Sequence, residues 1–379
     1  MTASLSIAVV CFPGLGGSGV IACELARELA HRGHRVVVVA TALPERLRVN
    51  GVRFEQVEVP RAPVLDTAPY GLALASHLVN LVKREAIDIV HLHYAIPHAS
   101  SAHLASQVLG EAAPAIVVTM HGTDVTRLGP HPSLQPVTAF ALAACDGLTV
   151  PSQFLRREAA TCFGLPAERI EVISNFVDVD RFAPPARRDP AQLHALFGPG
   201  ASDGPVLFHV SNLRPIKRPL DLIEVLACLR RTMPARLVII GEGPERAAIE
   251  ARTSALGLGA SVCFLGGRDD FAELLGHADG FVLPSESESF GVAALEAMSA
   301  GVPVFGYRVG GLPEVVTEDA GRLVACCDVE ALATAIADGL ANRDALGRAG
   351  RARATSEFRS DRIVAAYEAY FHRVLGATS

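Results

Sequence analysis

The sequence has no excess of positive charge. Its 379 residues carry 34 Lys and Arg against 40 Asp and Glu, a formal net charge of −6. A general nucleic-acid binder needs a basic face, so that class is set aside. No uncharged apolar run reaches the ~18 residues of a membrane helix, so no stable membrane insertion is expected. The stretch from Met1 to Val10 runs straight into a strand pattern, without a basic leader or a small-residue cleavage site. No secretory signal is therefore read, and the protein is expected in the cytoplasm. Eight cysteines are present (Cys11, Cys23, Cys145, Cys162, Cys228, Cys263, Cys326 and Cys327), and none forms a CxxC pair. They read as reduced, mostly buried thiols. The adjacent Cys326 and Cys327 have no neighbouring feature that supports a redox role.

Half of the residues are hydrophobic, enough for sizeable cores. At ~100–200 residues per domain the length suggests two. Short β-branched runs alternate with helical stretches throughout. Leu5–Cys11, Arg35–Ala40, Ile87–Leu92, Ala115–Met120, Gly147–Val150 and Ile170–Ile173 read as strands. Gly19–His31, Leu72–Lys83 and Gln153–Cys162 read as helices between them. This alternation predicts βα units and a parallel sheet. The rhythm breaks over Asp178–Asp203, where Pro184, Pro185, Pro190 and Pro199 cluster around one short helix near Ala191–Phe197. It restarts with Val206–Val210, Arg236–Ile240, Ser261–Leu265, Gly280–Leu283 and Pro303–Gly306. The expected fold class is α/β, with two doubly wound Rossmann-like parallel-sheet domains facing across a cleft. Residues 1–178 with a returning helix from Ser360 would form the first, and residues 179–359 the second. Ligands of such sheets sit beyond the carboxyl ends of the strands.

Four loops at such ends carry polar chemistry. Pro13 to Gly19 follows the first strand and opens a helix, so its amides can approach a diphosphate. Gly14, Gly16 and Gly19 also match GxGxxG, which raises a dinucleotide-dependent oxidoreductase as a rival. That rival needs an acid at the end of the second strand, where the sequence reads Val39-Ala40-Thr41-Ala42. Ser211 to Arg218 sets Arg214, Lys217 and Arg218 after a strand, where a leaving diphosphate would need them. Basic residues at a helix start are unfavourable unless an anion is near. Pro284 to Gly291 leads into the helical run Val292–Ala300. The first-turn amides of Gly291 and Val292 would be unpaired donors for phosphate oxygens. Glu288 and Glu296, eight positions apart, both suit a sugar diol, because a carboxylate accepts two hydrogen bonds. Met120 to Asp124 places His121 at a strand end, where it can orient or polarise a substrate. His91 and His93 alternate on a strand, but no third ligand makes a metal site of them. Asp178-Val179-Asp180 matches the metal-binding DxD pattern, yet it falls in the connection and reads as a turn. No metal site and no cofactor are expected.

Taken together, Gly16-Gly17, Asn212 with Lys217, Glu288 with Glu296, and Gly310-Gly311-Leu312-Pro313-Glu314 resemble the retaining GT-B glycosyltransferases of family 4. The likeness covers nearly the whole chain. Gly16 to Gly19, His91 to His98, His121 to Asp124, Asn175 to Asp178 and Ser211 to Arg218 resemble the members that join UDP-N-acetylglucosamine to L-malate, the first step of bacillithiol biosynthesis. The resemblance implies that Glu296 holds the ribose and Glu288 the transferred sugar. It implies that Lys217 neutralises the diphosphate beside Asn212, with Arg214 sharing the load, and that Gly17 lets the first loop approach. The donor set is completed by Gly267 and Arg268 at the uracil and by Phe290, Gly291 and Val292 at the helix start. His121, Lys217 and Glu288 would be the catalytic residues. Ser18, Tyr94, Thr119 and Thr123 would contact the acceptor, with Arg46, Arg61 and Arg127 as candidates for its second carboxylate. Another family member with an inositol phosphate or lipid-linked acceptor is the alternative, and a non-catalytic sugar-nucleotide sensor the next. The sequence leaves the oligomeric state open, a homo-oligomer included.

Overall fold

The computed structural model describes residues 3–14, 17–44, 47, 51–61, 66–198, 204–268 and 270–378. Gly16, Arg46, Pro199 and Asp203, all named above, lie outside the described residues. The chain divides into two compact units, Met1–Asn175 with Asp361–Ser379, and Phe176–Ser360.

The first unit is built on seven parallel strands. They are β1 (Ser6–Val10), β2 (Arg35–Ala40), β3 (Val52–Gln56), β4 (Ile89–His93), β5 (Ala115–Thr119), β6 (Gly147–Val150) and β7 (Ile170–Val172). Their order across the sheet is β3-β2-β1-β4-β5-β6-β7. Runs such as Val36 to Val39 are buried along their whole length, because helices cover both faces of a parallel sheet and no solvent-facing alternation is left. β3 was not anticipated. It is the edge strand, and Arg53, Glu55 and Gln56 break its apolar pattern, as charged residues commonly do at sheet edges.

The second unit repeats the plan with six strands: β8 (Val206–Val210), β9 (Arg236–Ile240), β10 (Val262–Phe264), β11 (Gly280–Leu283), β12 (Val304–Tyr307) and β13 (Gly321–Val324). Their order is β10-β9-β8-β11-β12-β13. β13, four residues long and only partly buried, was also not anticipated. In both sheets the order reverses beside the first strand, between β1 and β4 and between β8 and β11. In open sheets of this kind the loops leaving neighbouring strands diverge at such a point, where ligands bind.

The last helix, Ser360–Thr378, belongs to the first unit from Asp361 onward. Tyr367 and Phe371 are buried in it. The Tyr370 hydroxyl accepts from the Leu148 amide at 2.8 Å and donates to the Leu148 carbonyl at 3.2 Å. Glu368 accepts from Arg32 at 2.7 Å and meets His34 Nε2 at 2.9 Å. Among the described residues no helix is long and apolar enough to cross a membrane.

Candidate active site

In the second unit the reversal point brings the two charged loops together. β8 and β11 are paired, so the loops after Val210 and Leu283 leave side by side. The Glu286 amide donates to the Ile216 carbonyl at 2.9 Å, which joins the loops through their backbones. Lys217 Nζ then donates to Glu288 Oε1 at 2.6 Å, and Ser285 Oγ donates to the same oxygen at 2.7 Å. Glu288 is buried to 8% exposure, while the Lys217 side chain keeps 22%. The site thus holds a cation balanced by one carboxylate, and an incoming anion can take the carboxylate's place as its partner. Beneath it, His209 is fully buried. Its Nδ1 lies 2.8 Å from the Val282 carbonyl, which only accepts, so the proton is on Nδ1. Its Nε2 therefore accepts from Ser211 Oγ at 2.7 Å. Burial holds His209 neutral, down to about 4. The first residue of the basic loop is thus fastened to β11 through one neutral ring.

Two glycines shape these loops. Gly291 caps the helix Val292–Ser299 with φ at +100°, a conformation side chains disfavour, and makes no side-chain cap to the first turn. Gly310, φ +55°, packs its backbone on Glu288; a Cβ there would lie 1.9 Å from the Glu288 carbonyl oxygen. The Gly311 amide donates to that carbonyl at 2.8 Å. The Gly310-Gly311 pair therefore sets the height of the Glu288 backbone. Glu296, on the second turn of the Val292–Ser299 helix, is also 8% exposed. Asn212 is half-buried, and Arg214 is exposed at the start of the single turn Pro215–Lys217. Gly267 and Arg268 lie after β10, with Arg268 paired to Asp270 at 2.5 Å. The Phe290 side chain does not join this set. It is 2% exposed and packs edge-on against Phe358 at 5.6 Å, so only its backbone remains for a ligand. Arg218 turns to Asp221 at 2.8 Å, and Asp221 also accepts from the Tyr307 hydroxyl at 2.7 Å.

In the first unit the reversal point gathers aromatic and imidazole rings. Phe12, just past β1, lies 4.6 Å from the His98 ring, 5.4 Å from Tyr94 and 6.2 Å from Tyr70. Tyr94, just past β4, holds φ at +90°, a strained value that persists only where the surroundings impose it. Its amide donates to the Thr119 carbonyl at 2.9 Å. Asp124 then holds the two strand-end loops to each other. Its carboxylate accepts from the Ala95 amide at 2.8 Å, the His121 amide at 3.0 Å and the Gly122 amide at 2.8 Å. Burial raises the Asp124 carboxyl above its usual range, and the amides offset part of that. Three of the site's backbone donors thus converge on one side chain.

Thr119 lies below the site. Its side chain is fully buried, and its hydroxyl meets His91 Nε2 at 2.7 Å, Thr149 Oγ1 at 2.6 Å and Tyr367 at 3.5 Å. Ser18 is half-buried on the helix Gly17–His31, and Thr123 is exposed at the start of Thr123–Thr126. Gly17 opens the former helix. Arg61 and Arg127 are both exposed. The DxD match is a turn: Asp178 Oδ1 accepts from the amides of Asp180 at 3.1 Å and Arg181 at 3.0 Å. Among the described residues no three His, Cys, Asp or Glu side chains are grouped to hold a metal ion.

The sequence reading gave no role to Asp124, Ser285, His98 or Phe12. Asp124 stands within a quoted motif, but its function as a clasp depends on where Ala95 lies, and that is set by the pairing of β4 with β5.

Residues 15–181 match the model of Glycosyltransferase Family 4, and residues 198–354 that of Glycosyl transferases group 1. The chain is 38% identical to the N-acetyl-alpha-D-glucosaminyl L-malate synthase of Bacillus anthracis, over 98% of this chain and 97% of that one. It is 35% identical to a GDP-mannose-dependent alpha-(1-6)-phosphatidylinositol monomannoside mannosyltransferase of Mycolicibacterium smegmatis, over 73% of this chain and 74% of the relative. A crystal structure of Anabaena HepE in complex with UDP and glucose superposes with a TM-score of 0.82 at 20% identity, covering 97% of this chain and 99% of that one. This likeness establishes the fold, the two-domain GT-B architecture.

Proposed function

The chain belongs to glycosyltransferase family 4, and on that footing we propose that it moves N-acetylglucosamine from UDP-N-acetylglucosamine to the hydroxyl of L-malate, the first step of bacillithiol biosynthesis in the cytoplasm. The observation that carries this reading is the near end-to-end relation to the Bacillus anthracis synthase, stronger in identity and coverage than that to the mannosyltransferase. The donor-side residues other than Gly17 lie in the second unit, and Gly17, His121 and the acceptor-side residues lie in the first.

In this reading Glu296 holds the ribose, and Glu288 the hydroxyls of the transferred sugar. Lys217 and the amides of Gly291 and Val292 take the charge that grows on the leaving diphosphate. Asn212 and Arg214 flank Lys217, and Gly267 and Arg268 face the base. Ser18, Tyr94 and Thr123 contact the acceptor, and Arg61 and Arg127 are candidates for its second carboxylate. The malate oxygen bonds to the anomeric carbon on the face that the diphosphate leaves, and the bond from that carbon to the diphosphate oxygen breaks. The hydroxyl proton passes to the departing phosphate oxygen, so the α configuration is retained and no side chain acts as base. The donor is bound without a metal.

The test is UDP release from UDP-N-acetylglucosamine by the purified protein with L-malate, with an inositol phosphate, or with neither. Release that rises only with malate is the expected result. Release that rises with inositol phosphate and not with malate would transfer the assignment to the alternative acceptor.

A further inference from the structure

His93 Nδ1 lies 3.0 Å from His121 Nε2. Two neutral imbedded rings at that distance share one hydrogen, so one donates and the other accepts. The surroundings decide which. His93 is fully buried, and its Nε2 has no hydrogen-bond partner among the described residues. A proton on that nitrogen would be an orphaned buried donor. A bare lone pair costs less, since unmet buried donors are rarer in folded proteins than under-satisfied acceptors. His93 therefore carries its proton on Nδ1 and donates it. His121 accepts at Nε2 and keeps its own proton on Nδ1.

The neighbours follow the same logic. His91 Nδ1 is buried without a partner among the described residues, so Nε2 holds the proton and donates to Thr119. His98 Nδ1 lies 3.0 Å from the His93 carbonyl, which only accepts, so His98 Nε2 accepts from the Tyr70 hydroxyl at 2.9 Å. The His93 ring and carbonyl are thus both fixed. His121 is the half-buried member of the cluster, while His91, His93 and His98 are fully buried.

We propose that His93 is a positioning residue for the transfer: it locks His121 as the neutral ring with its proton on Nδ1, so that His121 meets the transferred sugar as a hydrogen-bond donor and not as a base. What His121 touches rests on the sugar-transfer reading; the tautomer is a property of the free protein. The groups that face His121 are His91 and His93 from β4, His98 from the helix His98–Leu109, and Asp124 at its own backbone. Tyr367 reaches the cluster from the last helix, beside His91. Burial first, and then the His98 charge, hold His121 down to about 3, so it stays neutral through the physiological range.

The first measurement is the imidazole 15N–1H spectrum of the ligand-free protein, with His121 assigned through a His121→Gln control. A proton on Nδ1 of His121 is expected; a proton on Nε2 overturns the proposal whatever the enzyme transfers. The second is the pH profile of kcat/KM for two variants. His93→Phe removes the donor and should lower kcat/KM at neutral pH about 10- to 100-fold, the size of effect seen when the orienting partner of a metal-ligating histidine is lost. Its acid limb should also move up, because the hydrogen bond that favours the neutral His121 ring is gone while its burial remains. His93→Asn places an amide N–H near the lost Nδ1–H and should restore most of the activity and the original profile. His93→Phe with the parent rate and profile, or His93→Asn as impaired as His93→Phe at equal melting temperature, refutes the role. Failure of the parent protein to release UDP with malate would instead count against the acceptor reading, and leaves the spectrum as the deciding test of His93.

Discussion

Replacing Lys217 with Ala separates two tasks of one ammonium. In the resting protein Nζ donates to Glu288 Oε1 at 2.6 Å, and that carboxylate is only 8% exposed. Ser285 Oγ still donates to it after the substitution. Breaking a fully buried ion pair costs ~3–5 kcal/mol. The Lys217 side chain is 22% exposed, so water screens this pair, and a loss of about 1–2 kcal/mol is expected. The catalytic loss should be larger. One donor aimed at the charge that develops on a leaving group is worth ~10²–10³ in turnover, about 2.7–4 kcal/mol. The double variant Lys217→Ala with Glu288→Gln tells the two apart. It removes the stranded carboxylate charge, so its melting temperature should return toward the parent while turnover stays low. Steady-state UDP release and thermal unfolding measure both quantities on the same samples. Turnover of Lys217→Ala within threefold of the parent would refute the electrostatic reasoning.

Two further perturbations follow from the geometry. Burial holds His91 down to about 3 and His98 down to about 4. Both rings bind a proton more readily once unfolded, near the ordinary ~6.5. Their folded values are depressed, so below pH ~6.5 the unfolded chain takes up protons that the folded one refuses, and stability falls as pH falls. Each ring contributes about 1.4 kcal/mol per pH unit down to its folded value, and denaturant unfolding of His98→Gln between pH 7 and 4.5 should show a shallower slope than the parent; equal slopes contradict this. Gly310→Ala would drive a Cβ to 1.9 Å from the Glu288 carbonyl at a φ of +55°. A loss of about 2 kcal/mol or more and a rise in the donor KM are expected, and a donor KM equal to the parent's would show that Glu288 does not depend on this contact.

The parallel sheets were legible because helices on both faces leave continuous β-branched runs, as in Val36 to Val39. β3 was hidden because an edge strand can carry Arg53, Glu55 and Gln56 on its open side. The two charged loops were legible singly, as strand-end loops with unusual charge. That Lys217 and Glu288 touch was not, since they are 71 positions apart and meet only because β11 pairs with β8. Phe290 sits in a polar motif, yet its side chain turns inward to Phe358, and no local pattern marks that choice. Thr119 likewise stands at a strand end in sequence but points to the buried side, where Tyr367 comes from 248 positions away. His91 and His93 alternate as a metal pair would. The Thr119 hydroxyl and His121 each take one of their nitrogens, and both partners stand on or just past the neighbouring β5.

The return of the last helix bears on how the chain folds as it is made. The Leu148 backbone on β6 finds its Tyr370 partner only 222 positions later. At roughly 5–20 residues per second, that partner leaves the ribosome on the order of 10–45 s after the strand it completes. Phe176–Ser360, by contrast, is one continuous segment. The second unit can thus be finished while the first still waits for its final helix, and maturation runs against the direction of synthesis.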